Sequence, residues 1–481
     1  MSGQEAILDN VTLLTAADAQ IDDYASLELG SETNFTTIDG WTSYEFRTNW
    51  TDACSSWHAS IADGNYQALL PLLQNGTPVV FKINGRVQAT GYVDRVSVST
   101  SRTGGTLLTV SGRDKLGPMV DSCMDGKFSF DEKHTIQQVV DAIRGPFGFD
   151  EVKVDDTVNR EHITGETSEI IGTDENGSVK TRVFDQVINK KFRPHLGEGR
   201  YAFLERLGKR FGFHIWCSGD GKTLFCGQPD FAQKTVGTIT HGDINSDTPD
   251  GKPNNVISSD VHYDWTQQPA VLIATNYGSA DHHRYAAQRV MMTNEFVVDA
   301  TEPEVLQVFK DNYKDGTFVV PKRTYVHRRP EVLPTTKFVT LVTVHDDESR
   351  TKNQLIHYAR SEMCRFQSRF LTATYVLKGH SVSSAEGRPV LPTDAIWAAG
   401  TMVRVNDVVS GLEEDMWIKE RTFRKDRNGG TTTTLELILP FSLELFPKGE
   451  GAEKETQASL TKEAVPFVPT PSKHLTERFI I

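Results

Sequence analysis

A pattern that occurs twice constrains this chain more than any other of its features. From Asn75 to Val110 the sequence reads NGTPVVFKING, then GYVDRVSV, then GGTLLTV. From Ala399 it reads AGTMVRVNDVVSG, then MWIKERTF from Met416, then GGTTTTLEL from Gly429. Tyr92 precedes Thr106 by 14 positions, and Trp417 precedes Thr431 by the same 14. Thr77 lies 27 positions before Gly104, and Thr401 lies 28 before Gly429. Val79, Phe81 and Ile83 alternate with Val80, Lys82 and Asn84, and Val403 and Val405 alternate with Arg404 and Asn406. That two-residue period belongs to a half-buried strand. Asn84-Gly85 and Asn428-Gly429-Gly430 supply the positive φ angles of tight hairpin turns. Unrelated meandering hairpins share such turns, so the matched spacing is what favours two copies of one β-unit.

The run Gly91-Tyr92-Val93-Asp94-Arg95-Val96, followed by LLTVSGRDKLGPMVDSC from Leu107, resembles the baseplate hub proteins of contractile phage tails. These are the Mu-type late-control family and its T-even relatives. Ser111, Gly112, Arg113, Leu116, Val120, Asp121 and Ser122 stand where that family has a Ser-Gly-Arg-like turn and a short following segment. Leu204-Glu205-Arg206-Leu207 matches a stretch of its second domain, and Gly400 to Pro440 looks like its last barrel. The resemblance implies a mainly β (α+β) fold with two tube-like β-barrels and smaller mixed α/β domains inserted. It implies a homotrimer that adapts a hexameric tail tube to a trimeric central spike. The implied partners are the tail tube protein, the central spike protein, the tape measure protein and other baseplate proteins. DNA would pass through the lumen without specific binding. The implied location is the virion tail baseplate, with synthesis and assembly in the host cytoplasm.

Composition is compatible with this. A chain of 481 residues, 38% hydrophobic and 24% charged, has material for three or four cores. Its net charge of −13 and lack of a basic tract argue against tight nucleic-acid binding, which needs cations on phosphate. Mild acidity would keep a passing phosphate backbone from sticking, and it would equally serve solubility alone. No apolar run reaches the roughly 18 residues of a membrane helix, so no membrane insertion is expected. The start, MSGQEAILDNVTLL, has no basic-then-apolar leader pattern. Cys54, Cys123, Cys217, Cys226 and Cys364 show no metal-ligand spacing and are expected to be reduced, buried thiols. Cys217 and Cys226 flank Gly219-Asp220-Gly221 and are placed to face each other across a hairpin.

Taken along the chain, residues 1–121 read as the first barrel, with strands expected over Ile21 to Leu29 and Trp41 to Trp50. Residues 122–235 read as a mixed α/β domain. There Ile136, Val139, Val140 and Ile143 mark one helix face, with Gly145 and Pro146 as its stop. A loop is expected from Asp155 to Lys180. A second helix from Arg200 to Arg210 turns Ala202, Phe203, Leu204 and Leu207 inward, and Gly212 stops it. Residues 236–280 with 370–446 read as the second barrel. Residues 281–369 read as a mixed insertion, with helices near Glu302 to Tyr313 and Ser349 to Arg369. The second of these carries Lys352, Arg360, Arg365 and Arg369 on a basic outer face. Residues 447–481, rich in Lys, Glu, Pro and Thr, read as an extended or disordered arm with Phe467 and Phe479 as docking spots.

Chemistry-bearing motifs are few. Asp346-Asp347-Glu348 and Glu413-Glu414-Asp415 are the candidates for a glycosidase carboxylate pair. A helix start, or a turn between strands, explains consecutive carboxylates more simply. Asp281-His282-His283 has the composition of a metal site but no further ligand at a telling distance. No nucleophile elbow, zinc-protease helix, P-loop or dinucleotide fingerprint is present. The expectation is a structural hub with no catalytic, metal or cofactor residues. The alternatives are a tail-associated enzyme that degrades the cell envelope, or the hub-like part of a secretion-system spike.

Overall fold

The computed structural model describes residues 23–155, 168–173, 179–183, 192–242, 255–276, 288–298, 341–385 and 395–445, with short breaks inside several of these ranges. Seven strands open the chain: β1 (Ala25–Ser31), β2 (Asn34–Ile38), β3 (Ser43–Asn49), β4 (Ser56–Ile61), β5 (Pro78–Ile83), β6 (Arg86–Ser101) and β7 (Gly105–Asp114). A single helical turn, α1 (Tyr66–Leu69), precedes β5. The alternation expected in β5 is present: Val79, Phe81 and Ile83 are buried while Val80 and Lys82 are half-buried. Asn84 at φ 51° and Gly85 at φ 74° form the two-residue turn into β6, a turn with positive φ at both positions whose backbone matches the twist of the flanking strands.

The middle of the chain is a small α/β layer. It holds α2 (Gly117–Asp121), α3 (Ile136–Arg144), β8 (Glu151–Val154), β9 (Ser168–Thr173), β10 (Val179–Val183), α4 (Arg200–Phe211), β11 (His214–Cys217) and β12 (Thr223–Gly227). Helix α3 starts in a capping box between Thr135 and Gln138 and buries Ile136, Val139, Val140 and Ile143. Helix α4 stops at Gly212, which is left-handed at φ 71°. Three expectations fail here. Ala202 is exposed, because the buried stripe of α4 runs Phe203, Leu204, Leu207 and Phe211. The loop expected over Asp155 to Lys180 contains β9, which pairs with β10. Cys217 faces Leu224 and Cys226 faces Ile215, so the two thiols are not opposed across the hairpin. All five cysteines are free, but only Cys226 and Cys364 are buried as expected, and Cys123 is exposed.

The remainder comprises β13 (Thr238–His241), β14 (Val256–Tyr263), β15 (Val271–Asn276), β16 (Gln288–Thr293), β17 (Val297–Val298), β18 (Leu341–His345), α5 (Lys352–Gln367), β19 (Leu371–Lys378), α6 (Val382–Ala385), β20 (Met402–Asp407), β21 (Asp415–Asp426) and β22 (Gly430–Ile438). Strand β15, expected in the second barrel, instead pairs with β16 and β18. Leu355, Ala359, Met363 and Phe366 of α5 pack on that separate sheet through Leu272 and Ala274. The basic outer face expected for α5 is interrupted. Arg360 is buried, and its Nε donates to the Glu444 carbonyl at 2.8 Å. The helix expected near Glu302, the histidines at 282 and 283, and the arm at 447–481 lie outside the described residues.

One large sheet organises the molecule, in the order β14-β19-β22-β21-β3-β4-β7-β6-β5-β1-β2, with β20 on β21 and β13 on β20. The ladder between β21 and β3 fuses the two halves over a single apolar core. The fold class is therefore mainly β, as expected. Among the described residues, however, no strand ladder closes either half into a barrel. In the second half the gap between β13 and β14 is spanned by Asn255. Its Oδ1 accepts from the Thr240 N–H at 2.9 Å, and its Nδ2 donates to the Thr238 carbonyl at 3.0 Å.

The duplicated pattern has a structural counterpart in register. Tyr92 pairs with Pro78 and Arg113, and Trp417 pairs with Met402 and Ile438. The β6–β7 ladder shifts between Val93 and Arg95, and the β21–β22 ladder shifts at the matching place, between Ile418 and Glu420. The Val93 N–H donates to the Thr77 carbonyl and the Ile418 N–H to the Thr401 carbonyl. Gly105 and Gly430 open the returning strands at φ 72° and 68°. Gly104 itself is outside the described residues. Continuing outward, β4 on β7 corresponds to β19 on β22, and β3 on β4 corresponds to β14 on β19. The β15–α5 insertion therefore falls between the counterparts of β3 and β4, where the first copy has only the turn from Trp50 to Ser55.

Candidate functional site: the seam between copies and the two open edges

The seam is where β21 of the second copy meets β3 of the first. Glu420 faces Asn49, Thr422 faces Arg47, Phe423 faces Phe46 and Arg424 faces Glu45. On one face Arg47 binds Glu420 through two parallel bonds of 2.8 Å, and Asn49 Nδ2 donates to the same carboxylate at 2.7 Å. Burial opposes ionisation of Glu420, but the bonds from Arg47, Asn49 and Thr422 outweigh it and hold the carboxyl below its usual range.

On the other face Arg421 is buried, its guanidinium 4.3 Å from the Phe423 ring centre and 5.0 Å from that of Phe46. It donates to Gln88 Oε1, the Trp397 carbonyl and Thr48 Oγ1. Burial lowers its pKa to about 9, which leaves it cationic at neutral pH. Beside it, fully buried His380 accepts from the Tyr44 hydroxyl at 2.8 Å. Its Nδ1 lies 3.2 Å from Thr433 Oγ1, and that hydroxyl donates to the Gly379 carbonyl. These roles fix the neutral tautomer with the proton on Nδ1. Burial, with the Arg421 charge adding to it, pushes this imidazole down to about 3. The His380 N–H donates to Asp23, which ties the second copy back to the first.

Among the described residues, no strand pairs with the outer side of the counterparts of these two strands. Residues 95–101 of β6 correspond to 420–426 of β21, and 258–264 at β14 correspond to 43–49 at β3. In β21 the core-facing Phe423 is fully buried, whereas its counterpart Val98 is 41% exposed. Ser97, Ser99 and Thr100 are exposed on β6, as are Ile257, Ser258, Ser259, Asp260 and His262 on β14. The sheet path thus leads from β14 of the second copy to β6 of the first, where β5 pairs only with the first half of the strand, up to Tyr92.

The carboxylates singled out for chemistry are otherwise engaged. Asp346 is buried and holds Arg210 through bonds of 3.0 and 2.5 Å. Glu348 is bound to Arg206 and to His195, the latter at 2.7 Å. Together these bonds clamp α4 to the turn before α5. Asp346 also caps its own turn, accepting from the Ser349 N–H in the segment that leads into α5. Glu413 is exposed, Glu414 is half-buried with its carboxyl raised by burial, and Asp415 pairs with Arg404 at 3.4 Å. No group of three or more metal-ligating side chains forms among the described residues.

Sequence reasoning missed one constellation. Ser259 Oγ lies 3.2 Å and Asp407 Oδ1 3.0 Å from His241, but both contact Nδ1. A proton relay needs the two ring nitrogens to face different partners, so this geometry cannot activate Ser259. Asp407 is fully buried and serves structure, accepting from Tyr375 at 2.9 Å and from the N–H groups of Val409 and Ser410.

Comparison with known proteins agrees with this architecture. Residues 31–114 match the family model described as Mu phage baseplate assembly protein GpP-like, N-terminal. A search of curated proteins finds no match. Among solved structures, a tail protein from Neisseria meningitidis MC58 has a TM-score of 0.58 and 18% identity, covering 89% of this chain and 100% of its own. The 43 kDa tail protein of prophage MuSo2 from Shewanella oneidensis has a TM-score of 0.57 and 19% identity, covering 87% and 99%. The chain shares their fold over 89% and 87% of its length.

Proposed function

We propose that this chain is a structural baseplate hub of a contractile phage tail, three copies of which close into a ring joining the hexameric tail tube to the trimeric spike. The observation that carries the reading is the equivalence of the seam and the edges. Each strand that pairs across the β21–β3 seam has a counterpart, β6 or β14, whose outer side no strand covers among the described residues. A second molecule placed by the same relation lays its β14 on β6 of the first. Repeated, the relation builds a ring of alternating first and second copies with pseudo-sixfold walls. Closed heterologous contacts of this kind are how cyclic oligomers form, and closure removes edges that otherwise invite aggregation.

The GpP-like match over residues 31–114 and the tail-protein fold support the tail assignment. In this reading the mechanism is mechanical: the ring matches symmetries, transmits attachment and leaves an axial path for tape measure and DNA. The tail tube, the central spike and other baseplate proteins are its neighbours in the virion. The envelope-degrading alternative finds less support, because Asp346 and Glu348 are committed to Arg210, Arg206 and His195.

The register makes the proposal testable. Phe423 faces Phe46 in the seam, so Val98 faces Val261 of the neighbouring copy, with Cα atoms about 5 Å apart. Full-length protein with Val98→Cys and Val261→Cys, in a background where exposed Cys123 is Ser, is oxidised or bridged with a short bismaleimide. Covalent species ending at the trimer are expected. Absence of cross-linking, or a ladder continuing past three chains, overturns the ring.

A further inference from the structure

We infer that the contact between copies is keyed by charge, with Arg95 on β6 binding Asp264 at the end of β14 of the next molecule; this rests on the ring proposed above. In the seam, Glu420 faces Asn49 directly and reaches Arg47 one step along the same face. The corresponding positions at the open edges are Arg95 for Glu420, Asp264 for Asn49 and His262 for Arg47. The polarity is reversed: the anion of the seam sits on the β6-type strand, whereas at the edge that strand carries the cation.

The reversal extends along both edges. From 95 to 102 the chain reads RVSVSTSR, with two arginines and no acidic residue. From 255 to 264 it reads NVISSDVHYD, with Asp260 and Asp264 and no lysine or arginine. Arg95, Arg102, Asp260 and His262 are exposed, and Asp264 is half-buried. One edge is basic and the other acidic, while on the core side Val96 and Val98 meet Tyr263 and Val261.

Charge of this kind selects how molecules meet. A head-to-tail contact sets Arg95 against Asp264. A face-to-face dimer through two β6 edges brings Arg95 and Arg102 towards their own copies, and one through two β14 edges does the same to Asp260 and Asp264. Like charges across a ladder disfavour both. Only the head-to-tail mode closes a ring, so the key excludes the isologous dimers that would cap an edge.

The test is charge reversal in the full chain, with association followed by sedimentation equilibrium at low and high salt. Arg95→Glu and Asp264→Arg alone are each expected to weaken trimer formation at least tenfold, and the double variant to recover it. Wild-type association is expected to weaken with salt. Thermal melting of each variant reports whether the fold is retained, and only variants that melt like the wild type count in the comparison. Single variants that assemble like the wild type, or a double variant that stays dissociated, overturn the key while the Val98–Val261 cross-link still reports the ring. A wild type that forms no trimer and no such cross-link removes the ring and the key with it.

Discussion

His380 sits among Tyr44, Thr433 and the Phe423 ring, and its imidazole is pushed down to about 3. The sign of its linkage follows. The unfolded chain takes up this proton below about 6.5 and the folded chain only near 3, so the group's stabilisation is full above pH 6.5 and is lost as pH falls. The loss is about 1.4 kcal/mol per pH unit, at most about 5 kcal/mol over the window. Asp114 slopes the other way. Burial raises its carboxyl to about 6 against the bonds from Ser55 and Leu116, so its contribution falls as pH rises from about 4 to 6. The two partly cancel in the wild type. Urea melts of His380→Asn from pH 7 to 4 are therefore expected to show a lower stability at pH 7 and a shallower acid decline; a decline as steep as the wild type's would show that His380 does not titrate this way. Residues of this sort were invisible in the sequence, because nothing local to His380 or Asp114 marks them as buried.

At the scale of elements, the turns and alternations could be read in advance, but the partners of strands could not. Val79, Phe81 and Ile83, the Asn84-Gly85 turn and the capping-box helix at Ile136 all follow from local pattern. Strand β15 shows why the reading stops there. Its apolar run says strand, yet its parallel partner β18 lies far along the chain, and no local feature names it. Arg360 carries the same lesson for helices: a cation spaced onto an outer face points inward once a carbonyl from Glu444 waits there. The seam itself was legible only as a repeat. Phe423, fully buried between Arg421, His380 and Phe46, is the element-level test of its energy. Phe423→Ala is expected to cost about 3–5 kcal/mol in a denaturation experiment, whereas Val98→Ala at the matching edge position of the isolated chain should cost less than about 1 kcal/mol. Equal costs would mean that the two positions are not in contrasting environments.

For the whole molecule, the chain's last described stretch explains where stability ends. Leu439, Leu443 and Leu445 are buried, His214 meets the Leu443 carbonyl at 3.0 Å, and Arg360 and Cys364 both donate to the Glu444 carbonyl. Removing residues 447–481 leaves all of these contacts, so the melting temperature should stay within about 2 °C of the full chain. If Phe467 and Phe479 dock on a neighbour, the truncated protein should also incorporate poorly into particles, which co-sedimentation with assembled tails would measure. The position of the β15–α5 insertion has a larger consequence. It occupies the β14–β19 connection, while the matching β3–β4 connection is a short turn, and Arg210 with Asp346 locks it against α4. Around the proposed ring, then, the rim formed by these connections alternates tall and short. In that proposed ring, a spike docking on the tall positions would meet three sites where the tube's wall presents six, the halving coming from an insertion that only one of the two copies carries.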